Sequence, residues 1–195
     1  MDSPEGLRFS ILTERELLDF CHDPALWLDA TKIKDLFTRG EICVGATLDG
    51  KLVAYHWRAF SAAPHDYKKN IWVDFNADAG YGHRSLTLPA YRGKHILPSL
   101  MAIGDNYCLD KGKTSCIAFV EIDNYPSLRG GMRAGNRVDG YAGYIYLFGK
   151  LFSFRTPGAK EHGFRMFTTR SPAVDKLKAC TSRWGLSLPT TKKGL

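Results

Sequence analysis

The 195-residue chain has no apolar run approaching the roughly 18 residues that a membrane-spanning helix needs, and no internal repeat or low-complexity segment. That leaves no candidate for a helical span or a solenoid. The opening residues, MDSPEGLRFS, lack the charged-then-apolar order of a secretory leader, so a soluble, cytoplasmic protein is expected. Cysteine is sparse and unpaired in pattern: Cys21, Cys43, Cys108, Cys116 and Cys180 are odd in number, scattered, and form no C-x-x-C. Neither a disulfide framework nor a metal site is expected from such spacing, and the thiols read as reduced and mostly buried. No basic run exceeds two residues, so the net charge of +7 lacks the dense cluster that would point to nucleic acid.

What is present is enough apolar sequence, 44% of residues, for the core of one domain. The charge is unevenly placed. Residues 1–80 carry 9 Lys/Arg against 13 Asp/Glu, a net −4, and residues 81–195 carry 18 against 7, a net +11. Along the chain, RFSILT alternates as a first strand, and Thr13 with Glu16 makes a capping box for the helix ERELLDFC. A second helix is expected in PALWLDATKIKDLFTRG, ending at Gly40. EICVGATLDGKLVAYHWRAF then reads as a hairpin around Asp49-Gly50. IWVDF and GHRSLTL are further strands, residues from Ile96 to Leu109 a helix, KTSCIAFVEI a buried strand and NYPSLRGGMRAG a short helix. GYAGYIYLFGKLFSFRT is an aromatic strand pair turning near Gly149. A core over 1–155 is expected, with 156–195 as an extension carrying a short helix through Val174 to Cys180 and a frayed end.

The most informative stretch is LTLPAYRGKHILPSLMAI, from Leu86 to Ile103. A strand that hands over to a helix through so short a loop leaves the first helical N–H groups unpaired and facing outward, where they bind anions. Arg92 and Lys94 add positive charge at that point, Gly93 permits close backbone approach, and Pro98 is tolerated in a first helical turn. A pyrophosphate fits such a place. The alternative is a solvated turn in which Gly93 serves only its backbone freedom.

The element order and this loop together resemble the GCN5-related N-acetyltransferase (GNAT) superfamily, over about residues 8–155. The family sequence V-x-P-x-Y-R-G-K-G-x-G/A corresponds here to the run from Thr87 to Leu97, and a second block, N-x-x-A/S...G-F/Y, corresponds to Asn124, Ser127 and Gly135. The resemblance implies an α/β single-domain fold, with a mixed, mostly antiparallel sheet of about seven strands flanked by about four helices. It also implies a strand splayed from its neighbour and acetyl-CoA as acyl donor. Thr87, Leu88, Arg92, Gly93, Lys94, His95, Ile96, Leu97, Asn124 and Ser127 would hold that donor. No metal is implied.

Three positions depart from the family pattern. His95 and Leu97 stand where small residues are usual. At His95, ordinary backbone angles would still present the N–H. At Leu97, the side chain should crowd the helix start. Gly131 occupies the place of the tyrosine that serves many members as general acid, so a replacement must come from Tyr125, Tyr141, Tyr144 or Tyr146, with Tyr125 preferred. Glu121, at the end of the buried strand, is the first candidate to deprotonate an amine, directly or through water, and His83 the second. Each has a purely structural alternative as a strand-end ion pair or a core histidine. Asp74 and Asp78 could hold a cationic amine.

The chemistry implied is direct acyl transfer to a small-molecule primary amine, without a covalent enzyme intermediate. A fatty acyl group delivered by acyl carrier protein is the alternative donor, and a non-catalytic acyl-CoA or nucleic-acid-binding module the alternative class. The protein is expected to be a monomer or homodimer.

Overall fold

The computed structural model describes residues 5–65, 70–148 and 150–168. β1 (Arg8–Leu12) leads into α1 (Glu14–Asp19), which opens on the expected capping box. The Thr13 hydroxyl accepts from the Glu16 N–H at 3.3 Å, and Glu16 Oε2 accepts from the Thr13 N–H at 2.7 Å. The second helix starts later than its apolar spacing suggests. Trp27 turns left-handed (φ 52) after a single 3-10 turn, and α2 runs only over Ala30–Thr38, capped by Asp29, which accepts from the Lys32 N–H at 2.8 Å.

β2 (Ile42–Leu48) and β3 (Lys51–Ala59) form the hairpin across Asp49 and Gly50. Both turn residues have positive φ (50 and 75), the geometry that matches strand twist in a two-residue loop. β4 (Ala63–Pro64), β5 (Ile71–Asp74) and β6 (Ala79–Thr87) follow, then α3 (Ile96–Asp110), β7 (Ser115–Ala118) and α4 (Tyr125–Arg133). β8 (Ala142–Leu147), β9 (Lys150–Arg155), α5 (Pro157–Glu161) and β10 (Arg165–Thr168) complete the described chain.

The main sheet has the order β1-β2-β3-β6-β7 and is antiparallel except for the parallel pair β6/β7. β10-β5-β4 form a second, antiparallel sheet and β8-β9 a separate hairpin. The fold is therefore the mixed, mostly antiparallel α/β arrangement expected, with its strands divided over three sheets rather than gathered in one. Residues 157–168, assigned from sequence to an extension, form α5 and β10. β10 pairs with β5, and Ala159, Phe164 and Met166 are buried with Val73 and Tyr81. The helix expected over Val174 to Cys180 lies outside the described residues. Among those residues no helix is long and apolar enough to cross a membrane.

Side chains alternate along β3, so the two faces of the sheet bury different partners. Tyr55 and Trp57 pack with Leu17, Leu26, Ile33 and Leu36 under α1 and α2. Ala54 joins Val44, Val53, Ile96 and Leu100 beneath α3. Arg58 also reaches the α3 side, where Nη2 donates to the Met101 carbonyl at 3.3 Å and to Asp105.

Two features of β6 shape the site. Its pairing with β7 runs only from Ala79↔Ser115 to Gly82↔Ala118, while β6 itself continues to Thr87. Its register with β3 then shifts between Trp57↔His83 and Tyr55↔Leu86, which places one extra residue in β6. Arg84 (φ 46) sits in this bulge. Bulges bend and twist the strand that carries them, so β6 diverges from β7 at the point where their pairing stops.

Candidate active site

Beyond the bulge, β6 passes through Leu88, whose N–H donates to the Val53 carbonyl at 3.0 Å, and through a 3-10 turn at Pro89–Tyr91. Gly93 (φ 76) and His95 (φ 56, ψ 17) are left-handed, and α3 begins at the next residue. No side chain caps this helix. Pro98 has no N–H, and the helix itself cannot pair the N–H groups of Ile96 and Leu97. An anion is their natural partner.

Arg92, Gly93 and His95 are exposed, and a Cβ on Gly93 would meet nothing within 4 Å. Arg92 Nε donates to the Thr87 carbonyl at 3.1 Å, holding the loop against the end of the strand, and Lys94 Nζ stands 5.4 Å from the Tyr91 ring centroid. Thr87 Oγ1 is buried with no hydrogen-bond partner among the described residues. Leu97 is half-buried on the first turn.

His95 does not have the ordinary backbone expected of it. It occupies the left-handed region that glycine adopts freely and other L-residues adopt at a cost of about 1–2 kcal/mol. His95→Gly should therefore leave the fold at least as stable, by about 0.5 kcal/mol after the added freedom of the unfolded chain is counted. Thermal denaturation of the two proteins measures the difference, and a lower midpoint for the glycine variant would show that the imidazole carries contacts outweighing the strain.

On the other side of the divergence, Asn124 caps α4, its Oδ1 accepting from the Ser127 N–H at 3.3 Å. Tyr125 follows on the first turn, 64% exposed. Glu121 lies just past β7 with its Oε1 3.5 Å from Nε2 of the buried His65. Tyr144, partly buried on β8, has its phenol pushed above its ordinary pKa, first by burial and then by the charge of Glu121. Of the four tyrosines, Tyr144 is the one partly buried, whereas Tyr125, Tyr141 and Tyr146 are exposed.

The remaining sequence candidates are engaged with protein groups. His83 is buried, its Nε2 2.7 Å from Glu41 Oε2 and its ring stacked on Tyr81 at 5.4 Å. Glu41, equally buried, also accepts from Arg39 Nε at 2.9 Å. Asp74 accepts from Arg165 Nε at 2.8 Å, and Asp78 from the Thr114 hydroxyl at 2.8 Å. Of the thiols, Cys43 and Cys108 are buried, Cys21 is intermediate and Cys116 exposed. Among the described residues no group of three or more His, Cys, Asp or Glu could hold a metal ion.

Sequence reasoning passed over Glu41, His56, Arg58, His65 and Ser85. His56 and Arg58 did leave a signal: they are polar residues two apart, hence on one face, in the otherwise buried strand LVAYHWRAF.

A sheet that opens beside an uncapped helix N-terminus is an arrangement found in mixed α/β domains, and comparison with solved structures makes the fold specific. The chain is similar to the aminoglycoside 6'-N-acetyltransferase of Acinetobacter baumannii, at 17% identity and a TM-score of 0.58 over 73% of this chain and 98% of that one. It is also similar to the ribosomal-protein-alanine N-acetyltransferase of Brucella melitensis, at 16% identity and 0.54 over 74% and 100%. An aminoglycoside N-acetyltransferase in complex with CoA matches at 12% identity and 0.55 over 73% and 98%. The chain has the GNAT fold. No protein-family model matches the sequence, and a search of curated proteins finds no match.

Proposed function

We propose that this protein is an N-acyltransferase that moves an acetyl group from acetyl-CoA to a primary amine of a small molecule by direct attack. One observation carries the reading: the uncapped N-terminus of α3, with Arg92 and Lys94 around it, lies at the end of the strand that diverges from β7. Helix N–H groups and two cations suit a pyrophosphate, and the gap between strands suits an extended thioester arm. Thr87, with its unpaired hydroxyl, and Leu88 line the strand end, and Asn124 and Ser127 begin the helix across the gap.

Glu121 is the proposed base, directly or through water. It is 40% exposed and therefore reachable, while His83 has its Nε2 turned to Glu41 inside the core. Tyr144 and Tyr125 are the proposed acids in place of Gly131, Tyr144 for its partly buried phenol, which feels the charge of Glu121, and Tyr125 for its place on the first turn of α4. Neither aspartate is retained for the amine, since Arg165 neutralises Asp74, and Asp78 accepts from Thr114 before the first β6/β7 pair, at the end of the ladder opposite the gap.

Calorimetry with acetyl-CoA, and separately with acylated carrier protein, tests the donor. Binding of the carrier protein alone, or of neither, would overturn the reading. Free-thiol release with amino sugars, amino acids, polyamines and peptide N-termini then identifies the acceptor class. Within that assay Arg92→Ala should raise the donor KM by about tenfold, the worth of one charge-assisted contact, with a smaller change in kcat. Equal affinity of wild type and variant for CoA would show the loop to be a solvated turn.

A further inference from the structure

The bulge in β6 brings together two side chains that the proposed chemistry has not used. Ser85 follows Arg84 in the stretch of β6 that β7 no longer covers, and it is exposed. Its Oγ lies 2.6 Å from Nδ1 of His56, which is buried on β3 between Ala54 and Arg58, on the α3 side of the sheet.

The tautomer of His56 follows from its other nitrogen. Nε2 is buried and has no hydrogen-bond partner among the described residues. A buried N–H without an acceptor is rarer and costlier than a buried acceptor without a donor, so Nε2 is the nitrogen without a proton. Arg58 points the same way. A Cβ built on Gly82 would lie 3.1 Å from His56 Nε2 and 2.5 Å from Arg58 Nη1, so the guanidinium and the ring edge share the space under one glycine. That positive charge favours a bare lone pair at Nε2. Burial first, then Arg58 and His83, hold the His56 pKa well below its ordinary value, which keeps the ring neutral.

A neutral His56 with its proton on Nδ1 donates to Ser85 Oγ. The serine has a single proton, and with its oxygen already accepting from the imidazole that proton is left for an acceptor other than His56, on an exposed residue in the stretch of β6 that β7 no longer covers. Resting on the acyltransfer reading, we propose that Ser85 is a catalytic hydrogen-bond donor to the carbonyl oxygen of the bound thioester, and that His56 is the positioning residue that aims it. The dyad does not relay a proton, because removing one from neutral His56 would leave a buried imidazolate beside the core. It stabilises the negative charge that develops on oxygen as the amine adds to carbon, and returns to its starting state when the carbon–sulfur bond breaks.

The test uses acetyl-CoA labelled with carbon-13 at the thioester carbonyl. In the bound state the carbonyl stretch measured by difference infrared should lie below that of free acetyl-CoA, and Ser85→Ala should move it back up. Ser85→Thr keeps the hydroxyl and should keep the low stretch, and His56→Asn, which retains a donor near the Nδ1 position, should preserve it better than His56→Phe. Ser85→Ala should lower kcat at least tenfold with little change in donor KM. In the ligand-free protein, nitrogen-15 NMR should find the His56 proton on Nδ1. Failure of the wild type to bind acetyl-CoA removes the acyltransfer reading and this proposal with it. Binding with the same carbonyl stretch in wild type and Ser85→Ala, or a proton on Nε2, removes this proposal alone.

Discussion

Glu41→Ala should cost the fold about 3 kcal/mol or more. The Glu41 carboxylate is buried and accepts from both Arg39 Nε and His83 Nε2, at 2.9 and 2.7 Å. Truncation leaves a buried imidazole nitrogen without that acceptor and a largely buried guanidinium with Asp35 as its remaining carboxylate. Breaking a buried ion pair from one side typically costs 3–5 kcal/mol, because the surviving charge stays desolvated. Glu41→Gln keeps an acceptor for His83 and should cost less. Urea unfolding of the three proteins reads the order directly, and equal midpoints would show that solvent or another carboxylate takes the place of Glu41. The loss should also reach the site. His83 is the last residue of β6 in register with β3 before the bulge, so loosening it frees the strand where it turns from β7.

Gly82→Ala should be nearly as damaging for a different reason. The added methyl would meet Arg58 Nη1 at 2.5 Å, His56 Cε1 at 3.0 Å and His56 Nε2 at 3.1 Å. Arg58 cannot retreat easily. Nη2 is bonded to the Met101 carbonyl and Asp105, and Gly104 of α3 stands so close on the other side that its own Cβ would lie 2.8 Å from Arg58 Nε. Forcing a methyl into such a packed place costs about 1–3 kcal/mol. The yielding part is the His56 ring, so the same substitution should disturb the contact to Ser85. Gly130→Ala is the matched control. It lies in α4 with nothing within 4 Å of the added carbon, and alanine there should gain up to about 1 kcal/mol of helix propensity. Denaturant midpoints that shift equally for the two variants would contradict the packing described under β6.

The features that sequence carried well are those whose chemistry is local. The capping box needs only Thr13 and Glu16, the hairpin only Asp49-Gly50, and the short turn into α3 only the run from Tyr91 to Lys94 before an amphipathic helix. The features that were not legible depend on register between distant strands. Glu41 meets His83 across 42 residues, His56 meets Ser85 across 29, and Asp74 meets Arg165 across 91. The bulge at Arg84 is decisive for the middle pair, because one extra residue changes which side chains of β6 face each side of the sheet. The left-handed backbone of His95 was hidden for a related reason: its identity suggested an ordinary residue, while its position between Gly93 and the helix required the conformation that glycine usually supplies.

The short parallel ladder between β6 and β7 sets how firmly the parts of the molecule are tied. Four residue pairs, Ala79 to Gly82 against Ser115 to Ala118, join β7 to a main sheet whose β2/β3 ladder extends over seven. Cys116 and Ala118 on β7 are exposed, and Ser115 and Ile117 only half-buried. This ladder has the fewest residue pairs of the main sheet, and Ile117, packed against the cluster around Tyr81, is the β7 side chain that holds it from the core side. The candidate site therefore straddles the shortest ladder of the main sheet. A ligand that touched both α3 and α4 would act as a rivet across it, and its binding would be felt as mechanical closure of the sheet rather than as contacts within one element.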